Sequence, residues 1–298
     1  MPRPLRVATR GSELARWQAA RVATLLGGDV ELVIVTTTGD TRTDVPIHAL
    51  GGTGIFVKEV QQAVLEDRAD VAVHSAKDLP ASPGPTGIVL AAVPERADPR
   101  DALVGSTLAD LPAGARIGTG SVRRRAQLAA LRPDLTFAEL RGNIPTRLER
   151  AGEYDAVVVA AAALQRLGRA ELVAEYLEPS VMVPQVGQGA LAVECRTDDA
   201  ETRALLAAID DTRAHAAVGA ERAYLAQLGG GCDLPCGAFA TLDGNEVVID
   251  ALLASADGHI VLRASARDVS PVAAGTRVAE ELLERGGRSL LDGGDGSA

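Results

Sequence analysis

Two successive series in which short β-branched runs alternate with helical patterns constrain this chain more than any other feature. The first reads LRVAT (5–9), a helical pattern over Ser12–Leu26, ELVIVTTT (31–38), a helical pattern over Phe56–Glu66 and DVAVHSA (70–76). The second follows the Pro/Asp-rich PERADPRDALVG (94–105): ARIGTGS (115–121), a helix over Val122–Leu131, LTFAEL (135–140), a helix over Ile144–Ala151 and the apolar strand DAVVVAAA (155–162). Each series predicts βαβ units around a mostly parallel sheet. VMVPQVGQGALAVECR (181–196) then combines a proline and small glycine-rich steps with an apolar strand, as a segment returning to the first unit would. From Asp211 the pattern changes to one long helix through Leu228, a glycine loop, strands over Ala238–Thr241, Glu246–Ala254 and Ile260–Ala266, and a helix over Val272–Arg285. The expected organisation is α/β domain 1 from 1–94 and 190–210, α/β domain 2 from 95–189, and a smaller α+β domain 3 from 211–298.

A chain of 298 residues exceeds what one core usually holds, in keeping with several domains. Its 47% hydrophobic content is that of a globular protein. No apolar run approaches the ~18–20 residues needed to span a bilayer, and the opening MPRPLRVATRGSEL has no apolar stretch of an export signal, so a cytoplasmic protein without membrane contact is expected. The formal charge of -10 and the 2% of aromatic residues argue against a nucleic-acid binder. Monomer is the default expectation. Three cysteines, Cys195, Cys232 and Cys236, form no disulfide framework, and no metal site is expected, because His215 and His259 lack supporting spacing.

Against this acidic background the basic clusters stand out. GTGSVRRR puts Thr119 and Ser121 at a strand-to-helix turn crowded by Arg123, Arg124 and Arg125. LRGNIPTRLER repeats the arrangement with Arg141, Asn143, Thr146 and Arg147. Helix starts of this kind attract anions, and guanidinium forks match carboxylates or phosphates. A solvated helix face is the plain alternative. In HSAKDLP, Lys77 and Asp78 follow an apolar strand, where open α/β sheets bind ligands, and Asp78 can move protons or hold a cationic intermediate; a loop aspartate capping a turn before Pro80 is the plain alternative. Only Lys58 and Lys77 are lysines, which makes both conspicuous in so arginine-biased a chain. His74 and Ser75 lie alongside but lack a nucleophile elbow. GGGCDLPCG clears side-chain bulk before Cys232, leaving its thiol open to a role as nucleophile, ligand or attachment point, whereas Cys236 and Cys195 read as core.

Together, ATRGS (8–12), GIFVKE (54–59), HSAKDLP (74–80), RGN (141–143), VGQGA (186–190) and GGGC (229–232) closely resemble the porphobilinogen deaminase (hydroxymethylbilane synthase) family, in the family's order and across nearly the whole chain. The resemblance implies two type II periplasmic-binding-protein-like α/β domains with a cleft between them, and a third domain presenting a dipyrromethane cofactor held through a thioether, here on Cys232. It implies a transferase that deaminates four porphobilinogen molecules and joins them head to tail, through azafulvenes attacked by the chain's free α-carbon, before hydrolysis releases hydroxymethylbilane. Asp78 matches the catalytic aspartate. Lys77, Thr119, Ser121, Arg123, Arg124, Arg141 and Asn143 match cofactor contacts; Arg10, Ser12, Arg147, Arg166 and Gln188 match substrate contacts, with Gln188 near the hinge. A glycine-rich segment over 41–55 reads as a lid, with Ala49 and Thr53 where many relatives carry lysine. Hand-off to the next enzyme is a further implication. The alternative is a non-enzymatic binding protein for an anionic solute, which the paired anion-binding turns would equally suit but which leaves Cys232 without a purpose.

Overall fold

The computed structural model describes residues 3–37, 54, 56–82, 84–230 and 234–291. Thirteen strands are found among them: β1 (Leu5–Arg10), β2 (Val30–Val35), β3 (Val71–Ser75), β4 (Ile88–Ala92), β5 (Asp101–Val104), β6 (Arg116–Gly118), β7 (Thr136–Ala138), β8 (Ala156–Ala160), β9 (Val173–Leu177), β10 (Leu191–Arg196), β11 (Cys236–Asp243), β12 (Glu246–Ala254) and β13 (Val261–Asp268). The helices used below are α1 (Glu13–Leu26), α2 (Lys58–Leu65), α3 (Val122–Leu131), α4 (Ile144–Glu149), α5 (Ala161–Arg166), α6 (Ala200–Ala207), α7 (Thr212–Gln227) and α8 (Pro271–Leu282).

Two five-stranded sheets share one topology, β2-β1-β3-β10-β4 and β7-β6-β8-β5-β9. In each, three strands run parallel and the fourth is antiparallel to both its neighbours. That antiparallel strand is the exchange strand: β5 enters the second sheet straight after the chain leaves β4, and β10 returns to the first after β9. This doubled α/β arrangement, with two crossovers between lobes, is the type II binding-protein-like architecture expected from the sequence. The third sheet is an antiparallel meander, β11-β12-β13, covered by α7 and α8.

Residue choice explains these elements. β8 is AVVVA with every residue buried, as a strand covered on both faces requires. Val7, Val71, Val73, Val193 and Leu206 share one core in the first lobe, and Leu103, Ile117, Leu128, Val158 and Met182 another in the second. Tyr224 is fully buried under the third sheet, its hydroxyl donating to Leu252 O at 2.7 Å. Ser12, Ser121 and Asn143 cap α1, α3 and α4 through their side-chain oxygens, which is why those helices start there.

The structure adds elements the periodicity did not reveal: β4, β5, β9 and α6, each four to eight residues long. The strand read through Ala162 ends at Ala160, and AAALQR turns into α5. Alanine carries no strand preference, so the tertiary setting decides there. Among the described residues no helix is long and apolar enough to cross a membrane.

Candidate active site

In both α/β lobes the polar residues singled out by the sequence lie beyond the C-terminal ends of the parallel strands. β1 ends at Arg10 and leads to Ser12; β3 ends at Ser75 and passes into a single 3-10 turn, Ala76–Asp78. β6 leads to Thr119, Ser121 and α3; β7 leads to Arg141, Asn143 and α4. Open α/β sheets gather ligand groups at this edge because strand ends release the chain into turns with unspent backbone donors.

The second lobe's cations converge on one carboxylate. Asp101, fully buried at the start of β5, accepts from Arg124 Nε at 3.0 Å and Nη2 at 2.8 Å, pairs with Arg123 Nη2 at 2.8 Å, and accepts from Gln188 Nε2 at 2.9 Å. Arg123 Nη1 and Arg124 Nη1 are anchored on Val183 O and Val158 O at 2.7 and 2.8 Å. Burial opposes ionisation of Asp101, but Arg123 and Arg124 outweigh it and hold the carboxyl at about 2. The sequence reading passed over Asp101. Its one local signal is an acid opening the apolar run DALV, opposite which an arginine-rich helix must pack.

Lys77 in the first lobe faces this group. Burial first, then the charge of Arg124 in the other lobe, lower its ammonium to about 8, and Asp78, Asp101 and Arg147 also act on it. Arg147 is lowered to about 10, again by burial and then Arg124, with Arg141 adding to the effect. Among the described residues the Lys77 ammonium and the Asp78 carboxylate have no hydrogen-bonding or ion-pairing partner, and Arg123 Nε, although buried, has no acceptor. Lys77, Arg123, Arg124, Arg141 and Arg147 thus outnumber the nearby acids Asp78, Asp101 and Glu139, the last paired with Arg141 at 2.7 Å. Such an excess in a half-buried cleft calls for a bound polyanion.

Other expectations are modified. Ser12 and Ser121 accept from their own helices, at Ala15 N and Arg124 N, and Asn143 Oδ1 accepts from Thr146 N and Oγ1, so their first task is capping. Thr119 is buried, with Oγ1 accepting from Ser121 N at 3.2 Å. Gln188 is fully buried and donates to Pro99 O and Asp101, so a direct substrate contact is replaced by a place behind the arginines. Arg10 stacks on Phe56 at 3.9 Å. Arg166 donates to Gly189 O at 2.7 Å and lies 5.7 Å from the Trp17 ring, bordering a groove of about 810 Å³ between the lobes. His74 and Ser75 point to opposite faces of β3: His74 Nε2 is 3.2 Å from buried Glu194, while Ser75 Oγ accepts from Gln18, which removes any hydrolase pair. Cys232 and the expected lid over 41–55, apart from Gly54, lie outside the described residues.

The third unit reaches the same arginines. Ala238 N donates to Pro184 O at 3.1 Å, and at Gly237 a Cβ would lie 2.6 Å from Pro184 O and 3.1 Å from Arg123 Cδ. Only glycine lets β11 lie this close to the guanidinium stem.

The family model for the porphobilinogen deaminase dipyromethane cofactor binding domain matches residues 5–204, and that for the porphobilinogen deaminase C-terminal domain matches 215–284. The chain belongs to the porphobilinogen deaminase family. Relatives named porphobilinogen deaminase include those of Roseiflexus sp. (strain RS-1), 50% identical over 98% of this chain and 100% of the relative, and of Roseiflexus castenholzii, 49% identical with the same coverage. That of Syntrophobacter fumaroxidans is 46% identical over 97% of both chains. The dipyrromethane cofactor of the family fits the donor set found here, because a dipyrromethane carries several carboxylates and the cleft supplies surplus cations and an unsatisfied buried guanidinium nitrogen.

Proposed function

We propose that this protein is a porphobilinogen deaminase, a transferase that joins four porphobilinogen molecules head to tail on a dipyrromethane primer and releases hydroxymethylbilane. The observation that carries the reading is the shared cleft edge, where Asp78 stands beside Lys77 and opposite the Arg123–Arg124 pair. The bound dipyrromethane supplies the free pyrrole α-carbon on which the chain grows.

This chain's own residues do the rest. Arg123, Arg124, Arg141, Arg147 and Lys77 hold acetate and propionate groups, with Thr119, Ser121, Ser12 and Asn143 adding neutral hydrogen bonds and Arg10 and Arg166 the outer contacts. Asp78 is the catalytic carboxylate: held at the cleft edge by its 3-10 turn, it would stabilise the positive charge that develops as ammonia leaves and manage the pyrrole N–H proton. Cys232 holds the primer. Domain boundaries are those given above, and the protein acts as a cytoplasmic monomer.

Intact mass spectrometry of the denatured wild-type protein, before and after porphobilinogen, tests the reading. A two-pyrrole adduct that climbs by increments of porphobilinogen less ammonia supports it. A folded protein showing neither adduct nor ladder gives the anionic-solute binder the lead.

A further inference from the structure

The return crossover threads between the two halves of the site, and its two positive-φ glycines permit this. Gly187 (φ +72) lies against the catalytic turn, where a Cβ would sit 2.9 Å from both Ala76 C and Lys77 N. Gly189 (φ +86) lies still closer to the outgoing crossover, where a Cβ would run into Ala97 O. Between them the Gln188 amide donates to Pro99 O at 2.8 Å and to Asp101 Oδ1 at 2.9 Å. A continuous path of contacts therefore runs from the turn bearing Asp78, through Gln188, to Asp101 and the arginine pair of the other lobe.

Asp101 and Gln188 are both fully buried, so neither meets a ligand. We propose that they are positioning residues, a strut that fixes the Arg123–Arg124 fork relative to the Asp78 turn. The inference rests on the deaminase reading. Neutralising Asp101 does two opposing things: it raises the positive potential facing an anionic ligand, and it releases two guanidinium groups from a set orientation. A carboxylate that merely screens charge gives tighter binding when removed, whereas a positioning carboxylate gives weaker binding. The sign separates the two.

The test compares wild type with Asp101→Asn, which keeps the side chain's shape, and with Gln188→Met, which keeps both arginine pairs and cuts the tie to the crossover. For Asp101→Asn the expected result is a KM for porphobilinogen raised by about tenfold or more, with kcat within about threefold, the pattern of lost uniform binding. Dipyrromethane occupancy, read by intact mass without any turnover, falls to about half or less, because the same fork grips the primer. Gln188→Met raises KM by about threefold or more with full occupancy. Folded Asp101→Asn protein with full occupancy and an unchanged or lower KM overturns the strut. So does an unchanged KM in Gln188→Met, which decides the matter alone if Asp101→Asn is recovered unfolded. Wild type that carries no adduct and consumes no porphobilinogen overturns the deaminase reading itself, an outcome visible before any variant is made.

Discussion

Arg96 donates to both carboxylate oxygens of Glu221, Nη1 at 2.6 Å and Nη2 at 3.2 Å, joining the outgoing crossover to the long helix α7 beneath the third sheet. Glu221 is fully buried and also accepts from Gly187 N at 2.7 Å and Ala240 N at 2.9 Å. One carboxylate thus ties together both crossovers and β11. Removing it leaves a buried guanidinium and two backbone donors unsatisfied, so Glu221→Ala is expected to destabilise by about 3–5 kcal/mol. A shift of the urea-unfolding midpoint measures this, and a loss below about 1 kcal/mol contradicts the role given to the pair.

Asp78 contrasts with that residue. It is partly buried on a 3-10 turn and takes no hydrogen bond from any described side chain or backbone group, so its charge supports the neighbouring Lys77 ammonium but no hydrogen bond of the fold. Asp78→Asn keeps the shape and removes the anion that faces the developing positive charge. The expected outcome is a fall in kcat on the order of 10²-fold or more with an unaltered melting temperature. If activity stays within threefold of wild type, roughly the scatter of such measurements, another group carries the chemistry.

Much of this arrangement was legible in the sequence. The sequence placed α1, α3, α7 and α8 to within a few residues, because ten or more helix-forming residues in succession repeat their signal over several turns. β5 was missed because four residues beginning with an aspartate, in a Pro/Asp-rich stretch, offer too short a pattern. The exchange of β5 and β10 between sheets is set by pairings more than fifty residues apart for β5 and more than a hundred for β10, for example Val193 with Val73, which no local window contains. The site divided in the same way. Lys77, Asp78 and the arginines stood out by residue type and turn position, whereas Asp101 is one of 40 acidic residues and becomes distinctive only when Arg123, Arg124 and Gln188 close around it.

Lys77 gives the cleft a pH dependence whose sign follows from its surroundings. Burial and the neighbouring Arg124 lower its ammonium to about 8, so it is charged below that pH and loses its proton above it. An anionic substrate needs the charged form; KM is therefore expected to rise as pH climbs through about 8, and a bound carboxylate shifts the transition upward by favouring the ammonium. In the unliganded protein the sign for stability is opposite. The unfolded chain keeps this proton up to about 10.5, so the strain of a buried ammonium is relieved, and stability gained, as pH rises from about 8. Lys77→Met flattens the KM profile above about pH 7. A profile identical in wild type and variant removes Lys77 from anion binding.

The cysteines give the last discrimination. Cys195 is buried in the first lobe's core, and burial raises its thiol to about 11, which leaves almost no thiolate for covalent chemistry. Cys236 is buried in the third unit's core at the start of β11. Neither position has room for a two-pyrrole group without opening a packed core. Cys195→Ser and Cys236→Ser are expected to keep the full adduct mass at a modest cost in stability, whereas Cys232→Ser loses the adduct and with it all turnover while remaining folded. Intact masses of the three variants, each purified alongside wild type, read this directly. An adduct retained in Cys232→Ser, or lost from a folded Cys236→Ser, moves the attachment point to another residue and removes the reason for the glycines that precede Cys232.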